Sequence, residues 1–301
     1  MTTSPPSETP VRVHGRTGAA SRSRNSPFAW ITETFADRDL LVTLALRDLR
    51  TKYRRTVLGW LWSLANPLFT TLVYTVVFSV LFQAKAPQSR ASDLRNFAFF
   101  LLCGILPWNA FTMGVNQSIA SILGSASLIK RVSFRRHVLV GSAVLSVMLT
   151  FMIELGALGF VLLFFGNPTY KTVPILFLLV VLLGLFTYGL ALALSACNVY
   201  FRDTGYLVTM AFTAWFYLTP IVYVRSIVPN SVHLLGLRVP LRQMIELNPL
   251  TGFIDAFRDA LYDVSYGTPR RLATLAILSF ASACLGSMAF AKLQRRFAEE
   301  L

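Results

Sequence analysis

Chemistry-bearing side chains are scarce in this chain: 301 residues hold only 14 Asp and Glu, three His and three Cys, against 28 Lys and Arg. His14, His137 and His233 are widely scattered, which argues against a shared metal site. Cys103, Cys197 and Cys284 each fall inside an apolar run, at spacings that suit neither a disulfide framework nor metal ligation, and read as small packing residues. No GxxxxGKS/T phosphate loop, HExxH, CxxC or GxSxG is present, so nucleotide hydrolysis and the common nucleophilic and metal chemistries are not encoded here. Residues 1–36 are rich in Ser, Thr, Pro and Arg without a contiguous apolar core, and are expected to form a disordered cytoplasmic tail.

Apolar residues, by contrast, are plentiful. They make up 54% of the chain, with 14% charged and a mean hydropathy of +0.58, which places it among integral membrane proteins. The net charge of +14 sits in short segments between apolar runs, so it points to membrane topology and not to nucleic acid. Six runs are long enough to cross: roughly 57–82, 97–122, 138–165, 173–197, 206–224 and 271–291. Six spans put both ends on one side. Most Lys and Arg then fall on that side, including four between Lys130 and Arg136, which makes it the cytoplasm and leaves residues 292–301 as a short inner tail. The expected architecture is all-α, at the plasma membrane.

The most informative stretch is the junction at residues 37–56. At 100° per residue Leu41, Val42, Ala45, Leu46, Leu49 and Tyr53 share one arc, and Arg47, Arg50, Arg54 and Arg55 lie opposite. Such a helix suits a membrane surface, apolar arc in the acyl boundary and guanidinium groups at anionic headgroups. An ordinary basic flank of a first span would explain the arginines but not the arc. The chain then turns and enters the first span.

Between the fifth and sixth spans, residues 225–265 are too apolar for a plain loop. Asn248 can cap a helix with Pro249 in its first turn, and Leu250, Phe253, Ile254, Phe257 and Leu261 then share a face. Short outer helices dipping back toward the membrane are expected, and non-helical backbone between them has to be buried in protein or line a wet cavity. Asp255, Asp259 and Asp263 recur every four residues off the apolar face. They suit a solvated face better than calcium or acid–base chemistry.

Glu154 is the only acid within the six runs. Burying its charge is costly, so it marks either a substrate path or an interhelical hydrogen bond. Aromatics mixed with amides recur in three spans: Trp62, Asn66, Phe69 and Tyr74; Trp108, Phe111 and Asn116; Trp215, Phe216 and Tyr217. Flat ring faces beside amides suit a neutral, hydroxyl-rich chain such as a glycan, while an interfacial belt and ordinary packing explain about half of them. Two inner loops resemble contact surfaces for a soluble partner. One is 125–136, with Leu128, Lys130, Arg131, Phe134 and Arg135; the other is 198–206, with Arg202 beside Asp203.

RDLRTKYRRTVLGWLWSLANPL, then VYTVVFSVLF, LIKRVSFRRHVLV, YFRD, TPIVY and NPLTGFIDAFRDAL resemble, in order, the membrane subunits of type-2 ABC exporters for polysaccharides, the permeases of O-antigen, teichoic-acid and cell-wall galactan transport. The resemblance covers roughly residues 38–292. It implies a homodimer of six-span subunits moving a lipid-linked glycan, with two cytoplasmic ATPase subunits that bind ATP and Mg while this chain binds no cofactor or metal. It further implies a gate helix at 38–55, a coupling helix at about 125–136, a second ATPase-facing loop at Arg202 and Asp203, and a conduit between the first and fifth spans. Phe134, Arg135 and Arg136 stand where FPR is common in the family, and Val140 where a second proline is. Arg47, Arg50, Arg54 and Arg55 would meet the carrier's pyrophosphate. Alternatives are a type-2 ABC permease for a drug, lipid or haem, an ATPase-independent flippase or secondary transporter, and a membrane glycosyltransferase using Asp255, Asp259 and Asp263.

Overall fold

A computed structural model describes residues 38–53, 59, 61–81, 83, 87–91, 95–125, 136–225, 228–234, 237–294 and 297. Along the chain run α1 (Arg38–Tyr53), α2 (Leu61–Thr75) continued by a π-helical segment (Val76–Leu81), α3 (Phe97–Gly124) and α4 (His137–Phe164). A 3-10 turn (Thr169–Thr172) leads into α5 (Val173–Tyr200), followed by α6 (Thr204–Leu218), strands β1 (Val232–Leu234) and β2 (Leu237–Val239), α7 (Leu241–Leu247), α8 (Pro249–Leu261) and α9 (Pro269–Leu293). The helical class expected from the sequence holds. The antiparallel β1–β2 hairpin departs from it, pairing Val232 with Val239 and His233 with Arg238. Period-two alternation over two three-residue strands is too short to stand out from the apolar background.

Among the described residues, α3, α4, α5 with its preceding turn, and α9 are long and apolar enough to cross a membrane. The first and fifth expected spans are shorter. Helices α2 and α6 have 15 residues each, about 22 Å at 1.5 Å per residue against a hydrocarbon core of about 30 Å. The π-helical segment lengthens α2. Helix α6 ends at Leu218 and not near 224, because Pro220 has no N–H to continue the ladder and drives Thr219 into extended backbone at φ −107°, ψ 129°.

The core lies among α3, α4 and α5, where Leu101, Ile105, Phe111, Phe151, Leu179 and Leu183 are at most 1% exposed. Helix α9 packs on α5 backbone to backbone. A methyl group on Gly286 would sit 1.9 Å from the Gly189 carbonyl oxygen. The Ser279 and Ser282 hydroxyls donate to the Leu182 and Phe186 carbonyls, both at 2.9 Å. Lipid offers no hydrophobic drive between helices, so close approach at small residues and such bonds hold the pair.

Helix α8 is the keystone of one end of the packed spans. Asn248 Oδ1 accepts from the Leu250 N–H at 3.1 Å, giving the expected cap, and Leu250, Phe253, Ile254, Phe257 and Leu261 are all buried. Phe253 meets Phe186 and Phe257 meets Phe151, each near the midpoint of its 28-residue helix. The helix therefore reaches deep between the spans.

Candidate functional site

At the inner junction, Gly59 takes a left-handed φ of 50° between α1 and α2. Glycine adopts that turn without a Cβ penalty. Helix α1 does not lay its whole apolar arc toward lipid. Leu44, Ala45 and Leu49 are buried, and Leu41 and Leu44 pack on Val138 and Leu139 at the start of α4, whereas Val42 and Leu46 remain exposed. The protein-facing stripe is thus turned by about one residue from the expected arc, because α4 supplies a wall on one side. Leu41 fits there closely: a methyl group on Gly141 would meet its Cδ1 at 3.0 Å.

Thr43, Leu46, Arg47, Arg50 and Thr51 line a surface recess of about 360 Å³. Arg47 and Arg50 are exposed, and Arg47 pairs with the adjacent Asp48 at 3.1 Å. Exposed pairs are worth roughly 0–1 kcal/mol, so this guanidinium exchanges partners readily. Arg54 and Arg55, and Leu128, Lys130, Arg131, Phe134 and Arg135 of the inner loop, lie outside the described residues.

The aromatic residues singled out in three spans do converge, chiefly as one packed cluster. Trp108 stacks edge-on to Phe216 at 5.6 Å, Phe111 to Trp215 at 5.7 Å, and Tyr74 lies parallel to Phe216 at 6.1 Å. Phe111 is completely buried and Trp108 nearly so, which makes both core residues of the subunit. Trp215 donates from Nε1 to Asn248 Oδ1 at 2.9 Å, fastening α6 to the cap of α8, and Asn116 is half-buried. What stays open is a face of α2. Trp62, Asn66, Phe69, Val73 and Val76 follow one helical stripe and are all exposed, with Trp62 at 54% and Phe69 at 68%. Tyr206, Met210, Thr213 and Tyr217 form the matching exposed stripe of α6.

Phe201, Arg202 and Asp203 are exposed on the turn between α5 and α6. Buried Asn198 pins that turn, accepting from the Gly205 N–H at 3.3 Å. Glu154 is buried in α4 with 8% exposure.

The acidic ladder of α8 is not a solvated face. Asp255 pairs with Arg225 at 2.9 Å, Asp259 with Arg271, and Asp263 with Arg90, whose backbone N–H also donates to it at 3.1 Å. Each carboxylate thereby ties down a different outer segment. Burial raises the Asp263 carboxyl above the usual carboxylate range, with Arg90 pulling the other way. Among the described residues no His, Cys, Asp and Glu cluster suited to a metal occurs.

Sequence reasoning missed Arg258. It is buried, with its guanidinium 3.9 Å from the Phe100 ring centroid, donating to the Pro220 carbonyl at 2.7 Å and the Ile221 carbonyl at 2.5 Å. These carbonyls belong to the irregular backbone that follows α6. The irregular backbone after α6 is protein-buried, as its depth demands, with Thr219, Ile221 and Val222 at most 4% exposed. A usable signal was present: Arg258 follows Ile254 by four residues and so flanks the apolar face. Gly104 makes room for it, since a methyl group there would lie 2.9 Å from Arg258 Nη2.

Comparison with known proteins gives this arrangement a family. The model of the ABC-2 type transporter family matches residues 39–262. An O-antigen export system permease protein RfbA of Myxococcus xanthus is 31% identical over 274 residues, covering 90% of this chain and 98% of that protein. Two proteins of the same name from Klebsiella pneumoniae are 30% and 29% identical, each covering 87% of this chain and 95% of the relative. The chain belongs to the ABC-2 type transporter family, as a multi-pass membrane subunit.

Proposed function

We propose that this chain is the permease of an ATP-driven polysaccharide exporter in the plasma membrane, with ATP and Mg bound by two separate cytoplasmic ATPase subunits. Nearly full-length similarity to relatives named as O-antigen export permeases carries this reading. The exposed aromatic and amide stripe of α2 supports it. Trp62, Asn66 and Phe69 offer ring faces and an amide to a hydroxyl-rich chain, directly after the Arg47 and Arg50 recess where a pyrophosphate-linked lipid would arrive.

In this reading α2 and α6 complete six spans, both termini are cytoplasmic, and two copies of the chain face one another across the α2 and α6 stripes to enclose the conduit. Closure of the ATPase pair pushes on segment 125–136 and on the Arg202–Asp203 turn, and the spans part in response. Trp108 and Phe111 are left out of the conduit because they are filled in on all sides within one subunit. Depleting the protein and fractionating carrier-linked glycans tests the function: a polymer should accumulate on the cytoplasmic side. No accumulation would exclude polysaccharide as cargo.

A further inference from the structure

A cluster outside the sites above joins three inner segments. Phe297, just past α9, is completely buried. Tyr200 and Phe290 meet its ring edge-on at 6.0 and 5.7 Å, and the Arg136 guanidinium carbon lies 5.5 Å from its centroid. Two hydrogen bonds close around the ring: Arg136 Nη1 donates to the Gln294 carbonyl at 2.8 Å, and the Tyr200 hydroxyl to the Leu293 carbonyl at 2.7 Å. A buried aromatic, a cation over its face and two side-chain bonds fasten the end of α9.

The tied groups come from the two inner loops. Arg136 ends the segment 125–136, and Tyr200 closes α5 two residues before Arg202. Each loop alone has a different attachment, one to the start of α4 and the other to the junction of α5 and α6. The end of α9 bridges them.

We propose that Phe297 is a positioning residue that yokes the two ATPase-facing segments, so that a push on either moves both. The inference rests on the ATPase-driven function proposed above. A push arriving at Arg136 passes to the end of α9, which is locked to α5 at Gly189 and Gly286 and carries Arg271, the partner of Asp259, at its outer end. The yoke thus stands at the inner end of a stiff helix pair that reaches the keystone helix α8.

The test uses the assembled complex with its ATPase, the three native cysteines replaced by alanine, and spin labels at Ser125→Cys and Tyr206→Cys on subunits diluted with excess unlabelled subunits, so that intrasubunit pairs dominate. The parent protein should give a narrow intrasubunit distance distribution, Phe297→Ala a broad one, and Phe297→Tyr a narrow one again. In parallel, Phe297→Ala should hydrolyse ATP within about twofold of the parent while transport falls about tenfold, the size expected when coupling between sites is lost. An unbroadened distribution in Phe297→Ala overturns the proposal, and so does a parallel fall of transport and hydrolysis. If Phe297→Ala fails to assemble, Tyr200→Phe keeps the ring and removes only the bond to Leu293; it should lower the transport-to-hydrolysis ratio about threefold, and an unchanged ratio overturns the proposal. The distance measurement needs no cargo. Its outcome therefore stands apart from whether polysaccharide is what the complex moves.

Discussion

Helices α2 and α3 are both apolar, both aromatic, and meet opposite fates. In α3, Leu101, Ile105, Phe111 and Ile122 are at most 1% exposed, while in α2 Leu61, Trp62, Leu68, Phe69 and Leu72 all stand more than half exposed. Helix α3 is surrounded by α4, α5, α6 and α8, whereas α2 rests mainly against α3 alone. The same residue types therefore build a core in one place and an open face in the other. Neighbours decide which, and open faces are where cargo or a second subunit can act.

The sharpest test of that contrast removes the residue that holds the packed half together. Arg258→Met should abolish the folded complex or lower its melting temperature in detergent more than any other single change here. It orphans carbonyls of buried backbone at about 1–3 kcal/mol each. A near-parental melting temperature would mean that α8 is not the keystone. Next, Phe111→Ala should cost about 3–5 kcal/mol, as large-to-small core substitutions do, while Phe69→Ala should leave the melting temperature almost unchanged and reduce transport. Equal melting shifts in the two variants would erase the distinction between core and open face.

A smaller effect concerns the α5–α9 contact. Gly286→Ala forces the backbones apart and should cost about 1–3 kcal/mol, the range for overpacking. Gly156→Ala in α4, where a methyl group meets nothing within 4 Å, is the control and should be neutral. The least effect belongs to the outer clamps. Asp259→Asn removes a half-exposed pair with Arg271 and should cost no more than about 1 kcal/mol. A shift as large as that of Gly286→Ala would show the clamp to be a principal tie of the outer face.

Much of the fold was legible because its signals are local. Apolar run length located α3, α4, α5 and α9, the Asn248–Pro249 pair marked the start of α8, and its buried face followed from 3.6-residue periodicity. Pro220 in the sequence also held the early end of α6, which a count of apolar residues passed over. The site was less legible. Trp108 and Trp62 are the same residue in similar surroundings along the chain, and only packing separates one as core from the other as open face. Asp255, Asp259 and Asp263 looked solvated because their arginine partners lie in other segments of the chain, Arg271 12 residues from Asp259 and Arg90 173 residues from Asp263.

The sequence alone determined that this is a helical membrane protein with an arginine-rich junction before its first apolar run and a capped helix at Asn248, since hydropathy, capping and turn chemistry act over a few residues. Tertiary structure decided which aromatics are buried, which acids are paired, and that Arg258 and Phe297 are buried among groups from distant segments. Those outcomes depend on groups meeting across long stretches of chain, and in a uniformly apolar sequence no local pattern says which groups will meet.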